Sequence, residues 1–217
     1  MTPAAIVFDF DGTIADTEWP IYDVAREAHE AHGLELPLSA WVETIGRADN
    51  MTLAQALRAR LGRAPDAEIL DAATARRTRW NEEMAMNPGV DRVIDAARRA
   101  DVPLAVASSS PTAWVEPHLE RLGLLGHFVA VRTRDHVDRG KPAPDLFLSA
   151  AAALDVDPAG CVAIEDSKHG CASAKAAGMT CVVVPNRITV LDQPSDADLI
   201  LESLADFPYA RFGLAAG

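Results

Sequence analysis

The sequence predicts an α/β fold in which a Rossmann-like parallel sheet forms the core domain and a helical domain is inserted after the first strand. Short apolar runs alternate with helical stretches of about ten residues or more, as expected for crossover units in a parallel sheet. Residues 17–86 break this alternation, because they contain helical sequence without a strand-like run. We therefore predict that residues 1–16 and 87–217 form the sheet domain and that residues 17–86 form a helical insert.

Strands are predicted where apolar, partly β-branched runs end in polar or turn-forming residues. These runs span residues 4–8, 102–107, 128–131, 161–164 and 181–184. Their nearly continuous apolar character is typical of strands that are buried on both faces of a sheet. The first run ends in Asp9-Phe10-Asp11-Gly12-Thr13, where acidic residues and a glycine indicate a loop.

Proline, serine and glycine residues indicate where the helices begin and end. In the sheet domain the signals are Pro111 before one helix, Pro142 before a helix over residues 143–154, and a helix from Ser167 to Gly178. In the insert the helical sequence is interrupted near residues 33–34, 37 and 64–65. The insert is therefore predicted to contain several helices rather than one.

Composition and charge exclude several classes of protein. The chain has 217 residues, 49% of them hydrophobic, which suffices for a substantial core. A net charge of −12 disfavours binding to a phosphate backbone, so we expect no nucleic-acid partner. The N-terminal apolar run, residues 4–8, is far shorter than a membrane span of roughly 18 residues, so we expect no membrane partner and a cytoplasmic location. No pattern indicates oligomerisation, and we expect a monomer or a weak homodimer.

Acidic side chains follow two of the predicted strands. Asp9 and Asp11 come directly after the first strand, and Glu165 and Asp166 follow the fourth. The carboxyl ends of parallel strands meet at one edge of the sheet, where ligands bind. Four carboxylates at one edge repel one another unless a cation lies among them. Because Mg²⁺ is a hard cation that prefers oxygen ligands, the sequence predicts Mg²⁺ as the cofactor at these residues.

Other polar groups at the same edge suit a phosphate. Lys141 lies between the third and fourth strands and supplies a positive charge, while Ser108 and Ser109 follow the second strand and supply hydroxyl donors. The main-chain amides of Gly12 and Thr13 are able to approach an anion closely. Phosphoryl transfer mainly requires this kind of positioning and charge stabilisation.

Asp9 and Asp11 are the predicted catalytic residues. We predict that Asp9 attacks phosphorus as a carboxylate nucleophile, which splits hydrolysis into two easier steps through an aspartyl phosphate. Asp11 follows two residues later, and we predict that it protonates the leaving oxygen and then deprotonates water.

Four segments, in this order, resemble the motifs of the haloacid dehalogenase superfamily. They are residues 9–13, Ser108 after an apolar strand, residues 140–145, and residues 164–167 with the small residues that follow. The position of the insert is similar to that of the helical cap in the subgroup of β-phosphoglucomutase and many small-molecule phosphatases. The resemblance implies a phosphatase that acts on a small phosphorylated metabolite, because a cap over the cleft excludes polymeric substrates.

The resemblance also implies a role for individual residues. Asp9 would be the nucleophile and Asp11 the acid/base. Mg²⁺ would be held by Asp9, Asp166 and the main-chain carbonyl of Asp11, with Glu165 close by. Lys141 and Ser108 would bind the phosphate.

Hydrolysis is the predicted reaction. Single residues distinguish it from the other reactions of the superfamily. Metal-independent dehalogenases of the superfamily lack the second acid of the first motif, here Asp11, so dehalogenation is not expected. A phosphohexomutase stays open, although the cap histidine of such mutases corresponds to a position at or near Ile21. A binding module without turnover is the other alternative. Residues 204–214 are similar to the end of pseudouridine-5′-phosphatase-like members.

Few residues of the insert are predicted to contact substrate. Arg47 lies where related caps have a basic, substrate-contacting residue, and it is equally compatible with an ordinary arginine at a helix end. Arg76, Arg77 and Arg79 are expected on a solvated, ion-paired helix face because Glu82 and Glu83 lie nearby. His29 is expected at the surface.

Overall fold

The computed structural model of the chain describes residues 2–43, 45 and 51–216. Within these ranges the strands are β1 (Ala5–Phe8), β2 (Leu104–Ala107), β3 (Ala130–Arg132), β4 (Cys161–Glu165), β5 (Thr180–Val183) and β6 (Leu199–Ile200). They form a parallel sheet in the order β3-β2-β1-β4-β5-β6. The predicted α/β fold with a parallel sheet is confirmed.

The predicted strands agree with the observed ones to within two residues at each end, and β6 is the addition. This strand contains only two residues and pairs with β5 at one edge of the sheet. A pairing this short does not produce a recognisable alternation or apolar run, so the sequence does not predict it.

The helices are α1 (Glu18–Ala31), α2 (Leu38–Val42), α3 (Leu53–Leu61), α4 (Ala67–Glu83), α5 (Val90–Arg99), α6 (Thr112–Arg121), α7 (Asp145–Ala153) and α8 (Lys168–Ala176). The first four lie between β1 and β2 in the insert, and the breaks between them include the predicted interruptions. Ser167 caps α8 as its position predicts, because its hydroxyl accepts a hydrogen bond from the Gly170 amide at 3.1 Å. In the part of the chain that the structure describes, none of the helices has the length and apolar surface that crossing a membrane requires.

Apolar side chains cover both faces of the sheet. Ile6 and Phe8 belong to a buried cluster with α5 and α6, while Ala5 and Val7 belong to a second cluster with α7 and α8. All four residues of β1 are fully buried, which explains why this strand is apolar throughout. The three cysteines, Cys161, Cys171 and Cys181, are free and buried. Because β1 lies inside the sheet, the loop after it emerges in the middle of the carboxyl edge.

The chain leaves the sheet domain and returns to it at neighbouring positions. Ala15 forms isolated bridges with Asp11 and with Met86. The Asn87 side-chain amide donates to the main-chain carbonyls of Gly12 at 2.9 Å and of Thr13 at 3.0 Å. These contacts are the basis on which we propose the boundaries at residues 16/17 and 86/87.

Replacing Asn87 by Ala is expected to reduce the free energy of unfolding by about 1–3 kcal/mol, because two hydrogen bonds to the carbonyls of Gly12 and Thr13 are lost. Urea unfolding measures this difference. Asn87→Asp has the same shape but places one carboxylate oxygen against both carbonyls in place of the Nδ2 donor, so it should be less stable than Asn87→Ala. An Asn87→Ala variant as stable as the wild type would contradict this role.

Candidate active site

Lys141 joins two carboxylates at the carboxyl edge of the sheet. Asp9 follows β1, and its main-chain amide donates to the carbonyl of Ile164 at 2.9 Å. This hydrogen bond holds Asp9 beside the end of β4. The Lys141 Nζ donates to Asp9 Oδ1 at 2.5 Å and to Glu165 Oε1 at 2.6 Å. All three side chains are at most 8% exposed, so bulk water screens this cluster little.

Glu165 is held rigidly at the end of β4. Its Oε2 accepts hydrogen bonds from the amides of Asp166 at 3.0 Å and Ser167 at 3.1 Å, and from the Ser167 hydroxyl at 3.0 Å. A Cβ at Gly170 would overlap this carboxylate, so glycine is required there. These contacts leave Oε1 directed at Lys141.

Three buried carboxylates lie close enough together to hold a cation. Ligand oxygens of Asp9, Glu165 and Asp166 lie within 4.8 Å of one another. Burial raises the pKa of Asp9 to about 8, with Lys141 opposing the rise and Glu165 and Asp11 adding to it. Burial, with the negative charges of Glu165 and Asp9, also raises the pKa of Asp166 well above its ordinary value. One lysine therefore leaves this cluster with an excess of negative charge, and a divalent cation fits it.

The Asp11 carboxylate makes a different set of contacts. Its Oδ2 accepts hydrogen bonds from the hydroxyls of Ser110 at 2.6 Å and Ser108 at 3.3 Å, and its Oδ1 accepts one from the Trp114 indole at 2.8 Å. The Asp11 carboxylate is therefore bound to side chains that follow β2, apart from the cluster of Asp9, Glu165 and Asp166.

The turn after Asp11 lies against Asp166. Gly12 has a φ of +82°, and a Cβ there would overlap the Asp166 carboxylate and the Asn186 amide. The Asn186 Nδ2 donates to Asp166 Oδ2 at 2.8 Å and orients that carboxylate. Thr13 is buried, and its hydroxyl has no hydrogen-bond partner among the residues described.

The serines after β2 are placed differently from one another. Ser108 is fully buried, and its hydroxyl accepts the Ser110 amide at 3.0 Å besides donating to Asp11. Ser109 lines the cavity described below. Pro111 is the N-cap of the following helix, and the Ser110 hydroxyl donates to Asp11.

A cavity of about 570 Å³ lies between this edge and the helical insert. Asp9, Asp11, Lys141 and Asp166 line it on one side, and residues of the insert line the other. The insert residues include Glu18, Ile21, His29, Trp41 and Arg77. Arg47, the predicted substrate contact, lies outside the described residues.

Sequence reasoning missed the surroundings of three residues that line the cavity, Glu18, His29 and Arg77. Burial, with the nearby charges of Asp11 and Asp9, raises the pKa of Glu18 to about 8. The expectation that His29 lies at the surface is wrong, because it is buried and its Nδ1 is 2.7 Å from the Ala25 carbonyl. Arg77 also departs from expectation, since it lines the cavity. For Glu18, the available signal was its position soon after Asp9 and Asp11.

The adjacent arginines of α4 have separate environments. Arg76 forms ion pairs with Asp23 and Glu27, as expected for a solvated face. The guanidinium of Arg77 instead lies 5.4 Å from the centre of the Trp114 ring. A helix places consecutive residues about 100° apart, so one faces solvent while the next faces the cavity.

The fold and the site define an α/β protein in which buried carboxylates cluster beside a cavity at the carboxyl edge of a parallel sheet. The chain belongs to the haloacid dehalogenase-like hydrolase family, whose sequence profile matches residues 6–184 of this chain. The family predicted from the four motifs is confirmed, and so is the expectation of a hydrolase.

Named relatives cover nearly the whole chain. The YhcW protein of Bacillus subtilis (strain 168) is 41% identical over 209 residues, or 95% of this chain and 94% of that protein. A Drosophila melanogaster protein named "Probable pseudouridine-5'-phosphatase" is 34% identical over 97% of this chain and 94% of its own length. Fructose-1-phosphate phosphatase YqaB of Escherichia coli (strain K12) is 37% identical over 83% of this chain and 96% of its own length.

Solved structures share the fold. CbbY from Rhodobacter sphaeroides in complex with phosphate superposes with a TM-score of 0.74 at 31% identity, covering 95% of this chain and 97% of that one. A variant of that protein was crystallised with xylulose-(1,5)bisphosphate, and its TM-score is 0.75. β-Phosphoglucomutase from Clostridium difficile has a TM-score of 0.74 at 21% identity, covering 98% and 96%, which shows a common fold alone.

Proposed function

We propose that this hydrolase is a Mg²⁺-dependent phosphatase that cleaves a small phosphorylated metabolite, a sugar or nucleoside monophosphate ester, through an aspartyl phosphate on Asp9. The observation that carries the proposal is the buried cluster of Asp9, Lys141, Glu165 and Asp166 on the wall of a cavity. The relatives support the substrate class, since two of them are named for a pseudouridine phosphate and a sugar phosphate.

Asp9, Asp166 and the main-chain carbonyl of Asp11 would hold Mg²⁺, with Glu165 beside them. The excess of negative charge among the buried carboxylates supports this assignment. When bound, the cation supplies charge neutralisation for the phosphoryl oxygens. Glu165 has most of its acceptor capacity occupied already, so its main contribution is to orient Lys141.

The chain's own residues account for the two half-reactions. An oxygen of Asp9 attacks phosphorus while Lys141 binds a phosphoryl oxygen, and the amides of Gly12 and Thr13 supply further donors. Asp11 gives a proton to the departing oxygen and then removes one from the attacking water. Ser109 on the cavity wall donates to the phosphate, and Ser108 does so after its hydroxyl turns away from Asp11.

The helical insert acts as a cap that limits the size of the substrate and excludes water. Exclusion of water strengthens the contacts between phosphate, Lys141 and the acids. We propose that Arg47 contributes a substrate contact on the cap side. The CbbY complexes support a cleft for small phosphates in this fold.

A phosphohexomutase is the second candidate, because a β-phosphoglucomutase shares the fold. A mutase must hold a sugar phosphate so that another of its hydroxyls meets the phosphoryl group. Ile21, at or near the position that corresponds to the cap histidine of related mutases, lines the cavity, and an isoleucine side chain is unable to hydrogen-bond to a sugar. This residue favours hydrolysis.

Phosphate release from a panel of sugar, nucleotide, pseudouridine and glycolate phosphates tests the function. We expect release with Mg²⁺ and a decrease of about 10²-fold or more with EDTA, because the cation's charge stabilisation amounts to several kcal/mol. Release that is unaffected by EDTA would contradict the cofactor. No release from any ester, with sugar-phosphate isomers appearing in the NMR spectrum, would support the mutase instead.

A further inference from the structure

Trp114 is the residue of α6 that contacts the acid/base. Its indole nitrogen donates to Asp11 Oδ1 at 2.8 Å, and the residue lines the cavity. We propose that Trp114 is a positioning residue that orients the Asp11 carboxylate and makes this orientation depend on the helical insert through Arg77. The inference rests on the proposed function, in which Asp11 transfers a proton to the leaving oxygen.

The indole constrains Asp11 in a way that the serines do not. Hydroxyls rotate and act as donor or acceptor, and the Ser108 hydroxyl is shared between Asp11 and the Ser110 amide. An indole N–H is only a donor, and its ring has a fixed direction. Trp114 therefore determines that Oδ1 lies towards α6 while Oδ2 lies towards the serines.

The indole is itself held from two directions. The ring of His118, one turn later on α6, packs edge-on at a centroid distance of 4.3 Å. The Arg77 guanidinium lies 5.4 Å from the ring centroid, a cation–π distance. Arg77 belongs to α4, so this contact joins the insert to the sheet domain.

Arg77 is available for this contact because none of the described residues neutralises it. Among the residues that the structure describes, no carboxylate lies within ion-pair distance of Arg77, whereas Arg76 pairs with Asp23 and Glu27. Movement of the insert away from the sheet domain would remove the cation from the indole. Asp11 is therefore oriented most firmly when the insert is in place over the cavity.

Esters with different leaving groups show whether a variant impairs proton transfer from Asp11 to the leaving oxygen or another step of the reaction. As the Asp9–phosphorus bond forms and the phosphorus–oxygen ester bond breaks, an alkoxide needs the Asp11 proton, whereas p-nitrophenolate leaves without one. The value of kcat/KM covers steps up to leaving-group departure, so it omits the later attack of water. Acid catalysis contributes about 10²–10⁴-fold, and only the alkyl ester depends on it.

Trp114→Phe tests the first contact, because it retains a ring and removes the donor. The assay compares kcat/KM for p-nitrophenyl phosphate with that for the alkyl phosphate hydrolysed fastest in the panel above. We expect the alkyl value to fall about 10-fold or more and the aryl value to change less than about 3-fold. Equal losses for both esters, or no loss, would overturn the positioning role.

Trp19→Phe is the matched control. Trp19 also lies under an arginine, with Arg187 4.3 Å from its ring centroid, but it donates no hydrogen bond to a catalytic residue in the described structure. The ratio of the two esters should therefore be unchanged in Trp19→Phe. A ratio shifted as far as in Trp114→Phe would overturn the inference, since loss of any tryptophan would then suffice.

Arg77→Ala tests the second contact, and it carries the experiment if Trp114→Phe does not fold. It should lower the alkyl-to-aryl ratio, whereas Arg76→Ala should not. In a double variant with Trp114→Phe, Arg77→Ala should lower the ratio no further, because it acts through the indole. An equal further loss would show a direct effect on substrate and overturn the coupling.

A different variant tests the proposed function itself. That function is refuted if Asp9→Asn still hydrolyses both esters.

Discussion

Replacing Asp9 by Asn is expected to reduce phosphate release by about 10⁴-fold or more, because the amide is not a nucleophile and no neighbouring group replaces it. Asp9 lies at the end of β1, its Oδ1 is 2.5 Å from the Lys141 Nζ, and it lines the cavity. Asn has nearly the same shape, so the strand and the surrounding core should be unaffected. Initial rates with the best ester of the panel measure the effect.

The Asp9→Asn variant also distinguishes loss of the chemical step from loss of folding or substrate binding. Circular dichroism and thermal unfolding should show a folded protein, and the substrate should still bind, because Lys141 and the loop amides are retained. Asp16→Asn is a suitable control, since Asp16 follows the same strand but its carboxylate pairs with Arg187. An Asp9→Asn variant with activity near that of the wild type would refute Asp9 as the nucleophile.

Replacing Lys141 by Met is expected to lower both activity and stability. The variant leaves Asp9 and Glu165 buried without their shared counter-charge, and breaking a buried ion pair in this way costs about 3–5 kcal/mol of unfolding free energy. Activity should fall by about 10²-fold or more, because a charge next to the phosphoryl oxygens is lost. Urea unfolding and initial rates measure the two effects.

The loss of stability in Lys141→Met should depend on pH. Burial already raises the folded pKa of Asp9 from 3.8 to about 8, and removing the lysine raises it further. A carboxyl whose folded pKa is raised binds a proton more readily in the folded state, so its ionisation destabilises the fold as pH rises through that window. In EDTA, the difference from wild type should therefore be larger at pH 8.5 than at pH 5.5.

Lys175→Met is the control for Lys141→Met. Lys175 pairs with Asp198 at 2.6 Å, but both side chains are about one-third exposed, so we expect a loss below about 1 kcal/mol. Equal losses in the two variants, or a Lys141→Met loss that grows as pH falls, would contradict the buried charge cluster.

The strands, and the presence of acidic residues directly after two of them, were predictable from the sequence for local physical reasons. Apolar runs identify buried strands because both faces of a parallel sheet are covered. Asp9 and Glu165 each follow such a run directly, Asp166 comes next after Glu165, and parallel strands bring their carboxyl ends to one edge. The short β6 was not predictable, since a two-residue strand does not produce a local pattern. The buried position of His29 was predictable, because it lies four residues after Ala25 and seven after Tyr22, on the buried face of α1.

The sequence alone therefore determined the fold class and which residue types meet at the edge of the sheet. The tertiary structure decided which atoms pair there. Lys141 lies 132 residues from Asp9 and Trp114 lies 103 residues from Asp11, so no local pattern indicates that Lys141 bridges two carboxylates or that an indole holds Asp11. Such contacts depend on how α4, α6 and the loops pack against the sheet, which periodicity and motif spacing do not encode.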